Sequence, residues 1–130
     1  MDEPRSLDDS LARINREINA LLAGVDKAVY DHGRNDFNFM GKAVRSRFTL
    51  LLGDALGLER SAAERISAAA ELIHTASLMH DDCIDRAALR RGLPTLNEKL
   101  GVPAAILVGD LVVSFAFDYA AGIAPDTSGD

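Results

Sequence analysis

The stretch from Glu71 to Asp85 reads ELIHTASLMHDDCID and ends in three aspartates, Asp81, Asp82 and Asp85. The small and apolar residues before the aspartates favour a helix that ends at this cluster. Each helical residue turns by about 100°, so Asp82 lies about 100° and Asp85 about 40° from Asp81. All three carboxylates therefore project from one arc of the predicted helix, within about 6 Å of axial rise.

Such a cluster is electrostatically unfavourable without a cation. Neighbouring carboxylates raise each other's pKa, and the helix dipole disfavours anions at a helix C-terminus. Oxygen ligands on one arc suit Mg²⁺, so Asp81, Asp82 and Asp85 are predicted metal ligands. The alternative is a solvated acidic helix end. His74 weakens that alternative, because seven residues bring it back to within about 20° of the face of Asp81.

Basic residues flank the acidic stretch on both sides. They are Lys42, Arg45 and Arg47 before it and Arg86, Arg90 and Arg91 after it. Guanidinium groups bind phosphate oxygens in pairs and lysine adds a point charge, whereas carboxylates need a metal to bind phosphate. The combination predicts a site for a metal-bridged di- or triphosphate. Taken singly, either basic cluster is more typical of surface ion pairs.

The rest of the chain shows helical spacing and no convincing strand. Ser6 is a predicted N-cap, and the pairs Ser61 with Glu64 and Thr95 with Glu98 match the S/T-x-x-E capping box. The predicted helices cover about 7–25, 42–56, 61–84, 95–101 and 103–121, and 122–130 is predicted to be a frayed tail. We therefore expect an all-α, antiparallel helix bundle.

Composition restricts the class of protein. The chain has 130 residues, of which 48% are hydrophobic and 26% charged, which is typical of a soluble globular domain. Its net charge of −6 argues against nucleic acid as a partner. The apolar run 104–124 contains Asp110, Ser114 and Asp118, so we expect a buried helix and no transmembrane segment. The single cysteine, Cys83, and the absence of a visible signal peptide predict a cytoplasmic location.

Together these residues resemble the trans-polyprenyl diphosphate synthase family. The stretch Glu71–Asp85 resembles the first aspartate-rich motif of that family, Leu89–Thr95 resembles the segment that follows it, and Ala105–Asp110 resembles the start of the next helix. The resemblance covers about 40–121. It implies an isoprenoid-synthase bundle, of which 1–130 would be an incomplete N-terminal half, a partial polyprenyl synthetase domain.

The resemblance also implies a reaction and its ligands. The family condenses isopentenyl diphosphate with an allylic diphosphate, and the three aspartates would bind Mg²⁺ that holds the allylic diphosphate. Lys42, Arg45, His74 and Arg91 would bind isopentenyl diphosphate, and Arg90 would help to bind the allylic diphosphate. The small residues Ala76 and Ser77 would leave room for a medium- or long-chain product. The family usually forms dimers.

The sequence departs from the family pattern in two places. Where the family usually has G-G-K-R-x-R-P, this chain reads MGKAVRS, so that Lys42 and Arg45 are kept and Ser46 replaces proline. The carboxylates after Asp85 form no second cluster, although the family carries a second aspartate-rich motif on a later helix. We therefore expect little turnover from these 130 residues alone.

Two other functions fit the same residues. The chain could be a non-catalytic subunit that docks on a longer homologue, because a half-bundle would expose apolar faces. Terpene cyclases and head-to-head synthases also use D-D-x-x-D. The pair Lys42 and Arg45 and the turn Arg90–Gly92 favour the elongating enzymes.

Overall fold

The computed structural model describes residues 6–22, 44–90 and 92–122. The elements in these ranges are α1 (Leu7–Leu22), α2 (Val44–Ala55), α3 (Arg60–Asp85), β1 (Leu89–Arg90), β2 (Leu93–Pro94), α4 (Leu96–Leu100) and α5 (Val102–Ala121). The all-α class predicted from the sequence is confirmed. Residues 123–130 of the predicted tail (122–130) and the segment 40–43 lie outside the described residues.

Helix α3 is the centre of the fold, and α1, α2 and α5 pack around it. Its buried face is rich in small residues such as Ala63, Ala68 and Ala76, which lets neighbouring helices approach closely. Contacts from Arg45 to Glu71 and from Asp54 to Arg60 show that α2 runs antiparallel to α3.

The other two helices that pack on α3 run in opposite directions. Contacts from His80 to Ile106 and from Arg65 to Tyr119 make α5 antiparallel to α3. Helix α1 runs parallel to α3, because Arg13 pairs with Glu64 and Ser10 accepts a hydrogen bond from Arg60. Helices α2 and α5 are therefore antiparallel to α3, whereas α1 is parallel to α3.

Two of the three predicted N-caps are confirmed. The Ser6 hydroxyl accepts from the backbone N–H of Asp9 at 3.1 Å, and the Thr95 hydroxyl accepts from that of Glu98 at 3.3 Å. The predicted cap at Ser61 is wrong, because α3 begins one residue earlier without a side-chain cap. Glu64, the other half of that pattern, is buried and pairs with Arg13 of α1 at 3.4 Å.

A short antiparallel hairpin was not predicted. Strand β1 pairs with β2, with Leu89 opposite Pro94 and Arg90 opposite Leu93. Strands of two residues are too short for an alternating pattern, so sequence periodicity gives no signal for them. The hairpin matters because it turns the chain back toward the end of α3.

Apolar side chains remain exposed on the outer faces of α2 and α5. Phe48 and Leu51 on α2 and Leu107 and Phe117 on α5 are each at least 60% exposed. Helix α5 is long and apolar enough to cross a membrane by length and composition alone, a criterion that core helices of soluble proteins also meet. Patches of this kind are typical of surfaces that pack against further protein.

Candidate functional site

The three aspartates of the D-D-x-x-D motif occupy the last two turns of α3, in two different environments. Asp81 and Asp85 are exposed, whereas Asp82 is buried, with a side chain that is 5% exposed. Because Asp81 and Asp85 are four residues apart, they lie on the same face one helical turn from each other. Asp82 lies about 100° from Asp81 on the helix and faces the hairpin.

Asp82 forms a bidentate ion pair with Arg90 of β1. Arg90 donates from Nε to Oδ2 of Asp82 at 2.9 Å and from Nη2 to Oδ1 at 2.7 Å. The hydrogen bond to Asp82 raises the pKa of Arg90 above its ordinary value, and the nearby charges of Asp82, Asp81 and Asp85 act in the same direction. All three carboxylates therefore act on one guanidinium group, and only Asp82 is bonded to it.

The backbone after α3 explains how Arg90 reaches Asp82. Arg86 adopts a left-handed conformation with φ 55°, and Ala87 N–H donates to the Asp82 carbonyl at 3.0 Å. This is a Schellman ending, although glycine usually occupies the left-handed position. Thr95 and Asn97 then donate to the Ala87 carbonyl at 2.8 and 2.9 Å. These bonds fix the hairpin beneath the acidic end of α3.

The acidic end of α3 can offer oxygen ligands but holds no complete metal cage. The described residues contain no group of three or more His, Cys, Asp or Glu side chains arranged to hold a metal ion. Asp81 and Asp85 provide two exposed carboxylates. A metal bound there would have to take its other ligands from water, substrate or further protein, as Mg²⁺ commonly does.

A second polar cluster lies further back along α3, around Glu71. The Glu71 side chain is fully buried and accepts from Arg45 Nη2 at 3.2 Å and from the Ser46 hydroxyl at 3.1 Å. His74 follows Glu71 by three residues, so the two side chains are neighbours on the surface of α3. The fold therefore places the predicted ligand Arg45 against Glu71, one helical turn before the predicted ligand His74. The other two residues of that predicted set, Lys42 and Arg91, lie outside the described residues.

Comparison with known proteins gives the family. The family model for polyprenyl synthetase matches residues 26–128 of the chain. The chain belongs to the polyprenyl synthetase family.

Its relatives include synthases of different product lengths. A geranylgeranyl diphosphate synthase from Sulfolobus acidocaldarius is 38% identical over 80% of this chain and 32% of the relative. An octaprenyl diphosphate synthase from Escherichia coli is 34% identical over 83% of this chain and 37% of the relative. A decaprenyl diphosphate synthase structure from Rhodobacter capsulatus matches with a TM-score of 0.79 and 28% identity, over 89% of this chain and 36% of that chain. The chain thus spans about a third of the length of the relatives it matches.

The two residues predicted to line a pocket for the growing product, Ala76 and Ser77, have different surroundings in the structure. Ala76 is fully buried in the core cluster. Ser77 is exposed, and its hydroxyl donates to the His74 carbonyl at 2.6 Å. The assignment of both residues to product length stays a prediction.

Two residues that the fold places at the site, Glu71 and Ser46, were not predicted from the sequence. A glutamate within a helix is usually exposed, so its type alone gave no sign that Glu71 is buried. The replacement of the family's proline by Ser46 was the one available signal. His80 links α3 to α5. Its Nε2 lies 3.1 Å from the Ile106 carbonyl and 3.3 Å from Asp110.

Proposed function

We propose that this chain forms the diphosphate-binding part of a prenyltransferase that condenses isopentenyl diphosphate with an allylic diphosphate. The product would be a medium- or long-chain polyprenyl diphosphate. One observation carries the proposal: two exposed carboxylates, Asp81 and Asp85, share the end of α3 with a buried carboxylate that holds an arginine in place. Oxygen ligands for a metal and a fixed guanidinium beside them are what a metal-bridged diphosphate requires.

Asp81 and Asp85 fit Mg²⁺ better than a softer metal, because both offer hard oxygen donors. When bound, Mg²⁺ supplies positive charge that neutralises the diphosphate as it leaves the allylic carbon. Asp82 was predicted as a third ligand. Both of its oxygens accept hydrogen bonds from Arg90, so we assign it the role of holding Arg90.

Arg90 would bind the diphosphate of the allylic substrate. With Nε and Nη2 committed to Asp82, its Nη1 remains available on the outer edge of the guanidinium plane. Because the guanidinium is already oriented, binding a phosphate oxygen costs little further side-chain entropy. Its positive charge would stabilise the leaving diphosphate in the transition state.

Isopentenyl diphosphate would bind closer to the middle of α3, beside Glu71. Arg45 contacts Glu71, which precedes His74 by one helical turn, and the family resemblance adds Lys42 and Arg91 to the set. Separate sites for the two diphosphates suit a reaction that joins one substrate to the other, because both must be held in a fixed relative orientation.

We further propose a cytoplasmic location, association with further protein and a medium- or long-chain product. The buried thiol of Cys83, which forms no disulfide, supports a cytoplasmic location. The exposed apolar faces of α2 and α5 support association with further protein, as a homodimer or as a hetero-oligomer with a longer homologue. The small side chains of Ala76 and Ser77 support a medium- or long-chain product.

Equilibrium dialysis with labelled isopentenyl diphosphate, combined with a turnover assay, tests the proposal. The chain should bind the label, and with an allylic diphosphate and Mg²⁺ it should show little or no elongation, because one aspartate cluster cannot hold the full set of metals. Failure to bind either diphosphate would contradict the proposed function. Robust elongation would contradict the requirement for a second aspartate-rich motif.

A second candidate function is a non-catalytic subunit that docks on a longer homologue. The observation that favours it is the exposure of Phe48 and Leu51 on α2 and of Leu107 and Phe117 on α5. Size-exclusion chromatography with light scattering tests it. A compact monomer that ignores an added full-length synthase would rule this function out.

A further inference from the structure

The contacts around Glu71 point to a role that its position in the core alone does not require. Glu71 is fully buried, and both of its oxygens accept hydrogen bonds from the start of α2. A buried carboxylate is costly unless it is paired, and a hydrophobic residue of similar size would pack here at lower cost. Retaining the carboxylate makes sense if it is needed to hold its partner.

The partner, Arg45, is only partly committed. Its side chain is 46% exposed, and Nη2 is bonded to Glu71 at 3.2 Å. The remaining N–H groups of a guanidinium can bind another anion while one edge is held. Arg45 is thus held through Nη2 by Glu71, and nearly half of its side chain is exposed to solvent.

Ser46 adds a second tie that the usual family sequence lacks. Its side chain is fully buried, and its hydroxyl donates to Glu71 Oε1 at 3.1 Å. A proline at this position, as in the family pattern, has no hydroxyl to donate. Ser46 therefore orients the carboxylate that in turn holds Arg45, its neighbour in sequence.

We propose that Glu71 and Ser46 are positioning residues that hold the Arg45 guanidinium ready for the diphosphate group of isopentenyl diphosphate. This inference rests on the proposed function, since it assigns that ligand to Arg45. Two effects of Glu71 oppose each other: its negative charge repels the incoming diphosphate, and its hydrogen bond removes the cost of ordering Arg45. The proposal states that positioning outweighs repulsion.

The sign of one affinity change separates the two effects. In E71Q the charge is lost while the shape is kept, so simple electrostatics predicts tighter binding of isopentenyl diphosphate. Positioning predicts weaker binding, by about fivefold. In E71Q the Arg45 side chain is no longer held in place, so its ordering has to occur during binding and lowers the affinity. The S46A variant removes only one neutral hydrogen bond and should weaken binding by about twofold.

A double-mutant cycle shows whether Glu71 acts through Arg45. Dissociation constants of isopentenyl diphosphate are measured for the wild-type chain, E71Q, R45A and the double variant, with thermal melts to verify folding. We expect E71Q to weaken binding in the wild-type background and to have no such effect in the R45A background. The matched control is D54N, which breaks another carboxylate–guanidinium pair between α2 and α3, at 2.6 Å from Arg60, and should leave affinity unchanged.

Each other outcome overturns the inference in a recognisable way. Equal weakening by E71Q in both backgrounds would mean that Glu71 only stabilises the fold. Unchanged or tighter binding in E71Q and S46A, with binding still weakened by R45A, would remove the positioning role and leave the proposed function intact. Absence of binding by the wild-type chain would contradict both.

Discussion

Replacing the aspartates of the motif one at a time should separate the buried one from the exposed pair. The variants are Asp81→Asn, Asp82→Asn and Asp85→Asn, which remove one charge each and keep the side-chain shape. If all three residues were equivalent metal ligands, the three variants would have similar stability without metal. The ion pair between Asp82 and Arg90 predicts instead that only Asp82→Asn is destabilising.

The geometry gives the expected size of that difference. Removing one partner from a buried ion pair costs about 3–5 kcal/mol, but Arg90 is 29% exposed and can regain water, and asparagine keeps one acceptor. We therefore expect a loss of about 2 kcal/mol for Asp82→Asn. Asp81→Asn should change stability by less than about 0.5 kcal/mol. The loss of one negative charge at a helix C-terminus also relieves charge repulsion, which favours a small gain in the stability of Asp81→Asn.

Urea unfolding followed by circular dichroism, without divalent metal, measures these differences. With a typical slope of about 2 kcal/mol/M, the midpoint for Asp82→Asn should fall by about 1 M relative to Asp81→Asn. The variant Asp8→Asn, in an exposed position on α1, controls for loss of a charge. Equal midpoints for the three motif variants would refute the assignment of Asp82 to the ion pair.

Three further predictions test local features of the fold. Arg86→Gly should raise the free energy of unfolding by about 1 kcal/mol, because Arg86 has φ 55°, and no gain in the thermal midpoint would contradict the Schellman ending. Gly109→Ala should lower stability by about 1–2 kcal/mol, because a Cβ there would collide with the His80 ring. This overpacking outweighs the higher helix propensity of alanine. An unchanged or raised thermal midpoint would exclude the close contact between Gly109 and His80. Burial, with a contribution from Asp82, raises the pKa of the Cys83 thiol above its ordinary value. Its contribution to stability is therefore complete below the pKa of the unfolded thiol, about 8.5, and is lost as pH rises through the folded-state pKa. Urea unfolding between pH 8 and 11 should show a smaller loss for Cys83→Ala than for the wild-type chain, and parallel curves would count against this.

Local patterns were enough to predict the helices. The caps at Ser6 and Thr95 depend on bonds within a single turn, so residue type and spacing identify them. The capping box predicted at Ser61 and Glu64 does not form, because Glu64 pairs with Arg13 of α1. That contact between helices overrides the local preference and cannot be read from residue spacing. The family resemblance came from motifs at matching spacings, and the match of the family model over 26–128 confirms it.

The division of work among the aspartates could not be predicted from the sequence. Helical spacing places Asp81, Asp82 and Asp85 on one arc but does not say which part of that arc is covered. Coverage depends on the hairpin, whose two-residue strands leave no periodic signal, and on the left-handed turn at Arg86. Glu71 was missed for a similar reason, because its burial depends on how α2 packs against α3.

The most direct test of the account is a calorimetric titration of the chain with an allylic diphosphate, with and without Mg²⁺. We predict binding that requires Mg²⁺ and that is lost in the double variant of Asp81→Asn and Asp85→Asn, while that variant stays as stable as the wild-type chain. Binding that is independent of Mg²⁺, or that survives the loss of both carboxylates, would contradict the claim that this exposed pair holds the metal and its diphosphate.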